Sequence, residues 1–135
     1  MNDAELARFL DRPLTAVVST TGREGVPHAV PVWYRFDGEG LRVWTGERRV
    51  WVRNVLRDPR ASVTVAEAEA PFAAALLRCT ATVATGESWI ADEVRRITER
   101  YVPAAEVDAY LEQWDELQTV VTFLPERTVS WGRGY

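Results

Sequence analysis

Two periods of apolar residues run through this chain, and its elements are bounded where one gives way to the other. Alternating, β-branched stretches read as strands. "LTAVVST" (14–20) is the first, and "TTGREGV" after it is a glycine-punctuated turn. "PHAVPVWYRF" (27–36) reads as a second strand, in which Pro27 and Pro31 exclude an ordinary central position in a sheet. "DGEG" then turns the chain into "LRVWT" (41–45), a hairpin pattern. "RASVTVA" (60–66) is a further strand, "FAAALLRCTATVATG" (72–86) a longer one, and "QTVVTFLPERTVSW" (118–131) closes the chain as one or two more. Between them the period changes to that of a helix. "NDAELARFLD" reads as a short helix capped by Asn2 or Asp3 and ended by Pro13. "SWIADEVRRITERY" opens with Ser88 as a good cap, and "PAAEVDAYLEQWDEL" has Pro103 in a first-turn position. Six or seven strands joined mostly by short turns, with three or four inserted helices, predict an antiparallel barrel of α+β or all-β class.

One stretch stands out, "TGERRVWVRNVLRDPR" (45–60), with five arginines in a chain of net charge −4. Arg49, Arg53 and Arg57 are spaced by four, as are Trp51 with Val55 and Val52 with Leu56. At 100° per residue this is an amphipathic helix with an arginine stripe beside an apolar face. Thr45 is its expected N-cap, and Asp58-Pro59 stops it. Two readings of the stripe stand: a solvated surface face, or an anion grip. Backbone N–H groups at the helix start favour a phosphate or carboxylate, Thr45 can add a hydroxyl, and Arg48 or Arg49 a charge-assisted hydrogen bond. Glu47 works against it.

The 135 residues suit a single domain, residues 1–135. No apolar run approaches a membrane span and "MNDAELARFL" is not a signal peptide, so a cytoplasmic address is expected. All 16 basic residues are arginine, and an overall pI of about 5.1 argues against a nucleic-acid partner. The one cysteine, Cys79, lies in an apolar strand and reads as a buried, inert thiol. With one histidine, His28, and one cysteine, no ordinary metal site can be assembled. Glu67 and Glu69 sit in the bend "AEAEAPF" and read as solvated; Trp89 and Trp114 read as helix core residues. No constellation for hydrolysis is present and no catalytic side chain is expected. A bound redox cofactor fits this inventory, because it brings its own reactive atom and the protein need only bind, orient and exclude water.

"GVPHAVPVWYRFDGEGLRVWTG" (25–46), followed from Asn54 by "NVLRDPRASVTV", resembles the split β-barrel flavoproteins related to pyridoxamine 5′-phosphate oxidase. It is most similar to the branch that uses the deazaflavin F-420 in place of FMN. The likeness runs from "LTAVVSTTGREG" to "ERTVSWG". It implies a mainly β, Greek-key split barrel, homodimeric, with F-420 or FMN at the subunit interface and hydride transfer to or from a small organic substrate. Carried onto this chain, Val30, Pro31, Val32 and Trp33 flank the ring, Thr45 and Gly46 meet the phosphate side, and Trp131 comes close to the partner's site. Where the family usually has an Arg-Lys pair, this chain has Val50-Trp51. Arg48, Arg49 and Arg53 flank that position, so the charge is either relocated to them or lost. Trp51 either packs on the barrel or stacks on the ring. A degenerate barrel that sequesters a ligand without turning it over is the alternative.

Overall fold

The computed structural model describes residues 1–114 and 116–132. Seven strands form one antiparallel sheet: β1 (Ala16–Thr21), β2 (Pro27–Val32), β3 (Arg35–Phe36), β4 (Leu41–Gly46), β5 (Arg60–Ala66), β6 (Ala74–Thr85) and β7 (Gln118–Trp131). Their order is β2-β1-β5-β6-β7-β4-β3. The sheet curls into the half-closed barrel expected from the strand pattern. β2 lies at one edge, where its two prolines can be tolerated because no further ladder needs their missing N–H groups. The β3–β4 hairpin turns at Asp37–Gly40. Asp37 Oδ1 accepts hydrogen bonds from the backbone N–H groups of Glu39 and Gly40, and Gly38 takes φ +98°, which suits only glycine. β7 is a single strand bent at a bulge. Arg78 pairs with Arg127 and Cys79 with Pro125, leaving Glu126 unopposed beside a proline that cannot donate.

Four helices accompany the sheet: α1 (Asp3–Leu10), α2 (Val50–Arg57), α3 (Ile90–Glu99) and α4 (Val107–Glu112). Asn2 caps α1 in a reciprocal box, its Oδ1 accepting from Glu5 N and its own N–H donating to Glu5 Oε1. α2 departs from the expected start at Thr45. Thr45 and Gly46 remain in β4, paired with Thr119 and Gln118, so the helix begins at Val50 with Arg49 at its N-cap. The ladder to β7 claims backbone groups that local periodicity assigned to a helix. α3 is capped by Trp89, in αR conformation and without a side-chain cap bond, rather than by Ser88. The helix expected over 103–117 is shorter too: a 3-10 turn at Ala104–Glu106 leads into α4, which ends before Trp114. Asp115 lies outside the described residues.

At β4 the sheet packs against a core on each face. On the concave side Leu41 and Val43 of β4 meet Val18, Val63, Leu77 and Phe123, and α2 closes the barrel end with Trp51, Val52 and Val55. On the opposite side Trp44 packs with Val120 and with Ile90, Val94 and Ile97 of α3. Cys79 is 4% exposed inside the barrel, as expected, and burial, with a smaller push from Glu126, raises its thiol pKa to about 12.

α3 is fastened to the β3–β4 hairpin by charge. Glu93, 3% exposed, accepts hydrogen bonds from Arg35 Nε and Nη2 at 2.7 and 2.6 Å and from Arg42 Nη1 at 2.7 Å. Arg42 Nε lies 3.1 Å from Asp37 Oδ2, an ion pair without hydrogen-bond alignment. Burial alone would raise the Glu93 pKa, but the hydrogen bonds from Arg35 and Arg42 outweigh it and hold the carboxyl below its ordinary value.

Glu93→Gln leaves the Arg35 guanidinium without its anion and Arg42 with Asp37 alone. Because both still reach solvent, the expected loss is about 2–4 kcal/mol, the low end for a broken buried pair, measurable by urea unfolding. The sign of the pH dependence follows from the depressed pKa. The stabilisation is complete above the ordinary value of 4.5 and lost as pH falls through the lower folded value. The wild-type acid limb of stability should therefore flatten in Glu93→Gln. Cys79 should resist alkylation by iodoacetamide at pH 8 in the native protein and react once unfolded.

Candidate functional site

β2, the end of β4, the start of α2 and the segment after α4 enclose a cleft of about 520 Å³. One wall is β2 and the residue after it: Val30, Pro31, Val32 and Trp33. The floor is Trp44, Thr45 and Trp51, with Thr15 at one end. Tyr110, Trp114 and Arg49 face them. Apolar and aromatic surface dominates, and among the described residues Arg49 brings the one formal charge to the lining.

The aromatic walls are held from behind. The Trp33 ring stacks on Tyr101 at 5.0 Å with 3° between planes, and Tyr110 lies tilted 5.5 Å away. Tyr101 Oη donates to Leu14 O at 2.7 Å, and Tyr34 Oη donates to Arg12 O at 2.8 Å. Burial raises the pKa of both phenols, so both stay neutral donors at physiological pH. Arg100, at the end of α3, donates to the carbonyls of Tyr34, Asp11 and Arg12, pinning the break between β2 and β3 that turns Trp33 inward. Trp44 Nε1 donates to Thr98 Oγ1 at 3.1 Å, and the Thr98 hydroxyl in turn donates a hydrogen bond to Val94 O at 2.7 Å. Trp114 meets Trp44 edge-on at 4.7 Å, and the Arg49 guanidinium lies over the Trp114 ring at 5.6 Å.

Of the residues expected from the sequence, Val30, Pro31, Val32, Trp33, Thr45, Arg49 and Trp51 all line this one cleft. Trp51 packs on the barrel and also lines the cleft. It is 4% exposed and stacks on Phe123 in the barrel, and its remaining surface faces the cleft. Gly46 is buried beside the cleft, and the Glu116 carboxylate occupies the place a Cβ would take there. Arg48 is exposed outside the lining, and Arg53 lines a different cleft with His28 and Arg57. Thr15, Trp44, Tyr110 and Trp114 join the site without having been expected in it. Trp114 is not a helix core residue, because it lies past the end of α4; it reaches the site through its edge-on contact with Trp44. Trp89 is not core either. It stands 38% exposed at the start of α3 with the Arg42 guanidinium 5.1 Å from its ring centre. Trp131 donates from Nε1 to Phe72 O at 3.0 Å.

Among the described residues the lining has no carboxylate, imidazole or thiol, and no metal-binding cluster is found. Such a cleft can bind a flat aromatic molecule and favour an anionic one through Arg49. It offers little for acid–base chemistry by its own side chains beyond the hydroxyls of Thr15, Thr45 and Tyr110.

No functionally curated protein matches the chain in sequence. Among solved structures, protein Rv2991 of Mycobacterium tuberculosis superposes with a TM-score of 0.78 at 23% identity, over 97% of this chain and 84% of that one. An F-420 reductase superposes at 0.70 with 21% identity, covering 90% and 94% of the two chains. The heme storage protein HutZ of Vibrio cholerae superposes at 0.76 with 18% identity, covering 98% and 96%. At these identities the likeness is one of fold. The sequence profile described as pyridoxamine 5′-phosphate oxidase matches residues 3–132, nearly the whole chain, and the curled seven-stranded sheet agrees with it: this protein belongs to the pyridoxamine 5′-phosphate oxidase family.

Proposed function

We propose that the protein is an oxidoreductase that holds F-420 or FMN in the aromatic cleft and moves a hydride between it and a small organic substrate. The observation that carries this reading is the convergence of β2, Trp33, Thr45, Arg49 and Trp51 on one flat-walled cavity. When bound, the cofactor supplies the hydride-accepting or hydride-donating carbon. The chain's own residues do the rest. Val30, Val32 and Trp33 bind and orient the ring, and the indoles of Trp44 and Trp114 exclude water from it. Arg49 neutralises an anionic group, with Thr45 as a hydroxyl partner. The Glu116 carboxylate disfavours an anion against Gly46, so the anionic end belongs on the Arg49 side.

A homodimer is part of the same reading. Val17, Leu76, Leu124 and Val129 are 37–48% exposed on strands β1, β6 and β7, an apolar surface that a second copy would cover. A second reading, non-enzymatic sequestration of a flat ligand, is favoured by Val50-Trp51. The helix start presents a valine and a buried indole where a cationic pair would grip phosphate.

Fluorescence titration tests the cofactor. F-420, with its extra carboxylates, is expected to bind more tightly than FMN. Arg49→Ala should weaken either by about 10-fold or more, the usual cost of one charge-assisted hydrogen bond, with the melting temperature unchanged. Binding without turnover of any reducible substrate would favour sequestration, and no binding of either ring would end the cofactor reading. Light scattering at micromolar concentration should give about twice the 15.3 kDa chain mass; a monomer there would remove the interface site.

A further inference from the structure

A further cleft, of about 440 Å³, opens beside the aromatic one, between Trp33, the chain that follows α3, and α4. It shares Trp33 and Tyr110 with that cleft and adds Tyr101, Glu106 and Gln113. The charge is reversed. Where the first lining carries Arg49, this one carries Glu106 as its one formal charge among the described residues. Glu106 is exposed, and its carboxylate has no hydrogen bond or ion pair among those residues. Neither the Tyr110 hydroxyl nor the Gln113 side-chain amide has a hydrogen-bond partner among them.

Aromatic rings with an unpaired carboxylate around one cavity attract one kind of ligand. The face of each ring carries the negative part of its quadrupole and draws a cation toward it. Tyr101 already receives one, the Arg100 guanidinium 5.8 Å from its centre, which is spent on the carbonyls of Tyr34, Asp11 and Arg12. None of the guanidinium–ring contacts among the described residues uses Trp33 or Tyr110. The surrounding charge has the matching sign. From Tyr101 to Glu126 the sequence has no basic residue, while Glu106, Asp108, Glu112 and Glu116 fall on or beside α4. Arg95 of α3 pairs with Asp108, and the other three carboxylates have no ion pair among the described residues. A primary ammonium would need acceptors for three N–H groups, which this lining hardly offers, whereas a quaternary ammonium has no N–H to satisfy. We propose that this cleft is a binding site for a small organic cation, whose quaternary ammonium group lies among Trp33, Tyr101 and Tyr110 with Glu106 as its counter-ion.

The site stands on its own residues and does not require a cofactor in the aromatic cleft. The two clefts nevertheless touch, because Trp33 and Tyr110 belong to both linings. An anion-bearing ring beside Arg49 and a cation beside Glu106 would share those two aromatic side chains. Opposite charges in adjoining clefts also sort ligands, since each cleft disfavours the ion that the other attracts.

The test is a titration of the full chain, free of flavin and deazaflavin, so its outcome is separate from that of the cofactor titration. The probes are choline and dimethylbutanol, the same shape with carbon in place of the charged nitrogen. Choline is expected to bind about fivefold more tightly than the alcohol, or better, the usual worth of a cation on aromatic faces. In NMR it should shift the Trp33 indole N–H and the Gln113 side-chain amide in a saturable way and leave the Trp114 indole unmoved. Glu106→Gln removes a charge but no bond of the fold. It should keep its melting temperature, weaken choline by about threefold and leave the alcohol unchanged. Tyr110→Leu removes a ring and should weaken choline by about fivefold; if it fails to fold, Glu106→Gln decides alone. Equal affinity for the two probes would reduce the site to an apolar hollow. A preference for choline that survives Glu106→Gln in full, or shifts centred on Trp114, would equally overturn it.

Discussion

Strand β4 has to serve two cores at once. The two-residue alternation of a strand sends Leu41 and Val43 into the barrel and Trp44 out against α3, so the hairpin can be placed only if both sides fit together. A register slip of one residue would bury Arg42 in the barrel and expose Val43. The Glu93 carboxylate guards against this, since it reaches Arg35 and Arg42 together only when both arginines stand on the outer face. The aromatic cleft inherits this constraint. Its floor, Trp44 and Thr45, is the end of the same strand, and its opposite wall is carried by the segment that leads back into β7.

Much of the architecture was legible along the chain because the relevant forces are local. Alternation located the strands, two prolines excluded a central place for β2, and Asn2 was one of two caps expected for α1. The misplacements are those where a distant partner decides. Nothing near Thr45 says that β7 will claim its backbone, so periodicity alone begins α2 too early. α4 likewise stops short of Trp114, whose ring meets Trp44, seventy residues away. Glu93 shares the apolar face of α3 with Ile90, Val94 and Ile97, which marks it as a buried charge, but its partners on β3 and β4 are not visible from the helix.

The candidate site divides in the same way. The β2 residues and Trp51 could be named from short motifs, because one strand and one helix turn carry them. Tyr110 and Trp114 could not, as they reach the cleft only through the packing of α4 and the chain after it. The arginine stripe proved not to be one feature. Arg49 faces the aromatic cleft while Arg53 and Arg57 face another, since eight residues of helix are enough to cross from one cavity to the next.

Pro27 and Pro31 on β2 have an effect beyond placing that strand. Successive residues of a strand direct their N–H groups to opposite sides, so Pro27, Ala29 and Pro31 share one side of β2. Prolines are tolerated only where no ladder bond is needed, which makes that side the free edge and leaves Ala29 as its one donor in the strand. A passing strand would find acceptors there but almost nothing to donate, so it could not zip on. In a chain whose sheet never closes into a full barrel, this keeps the open edge from recruiting other copies into a growing sheet. Two imino acids thereby guard one border of the sheet against strand addition.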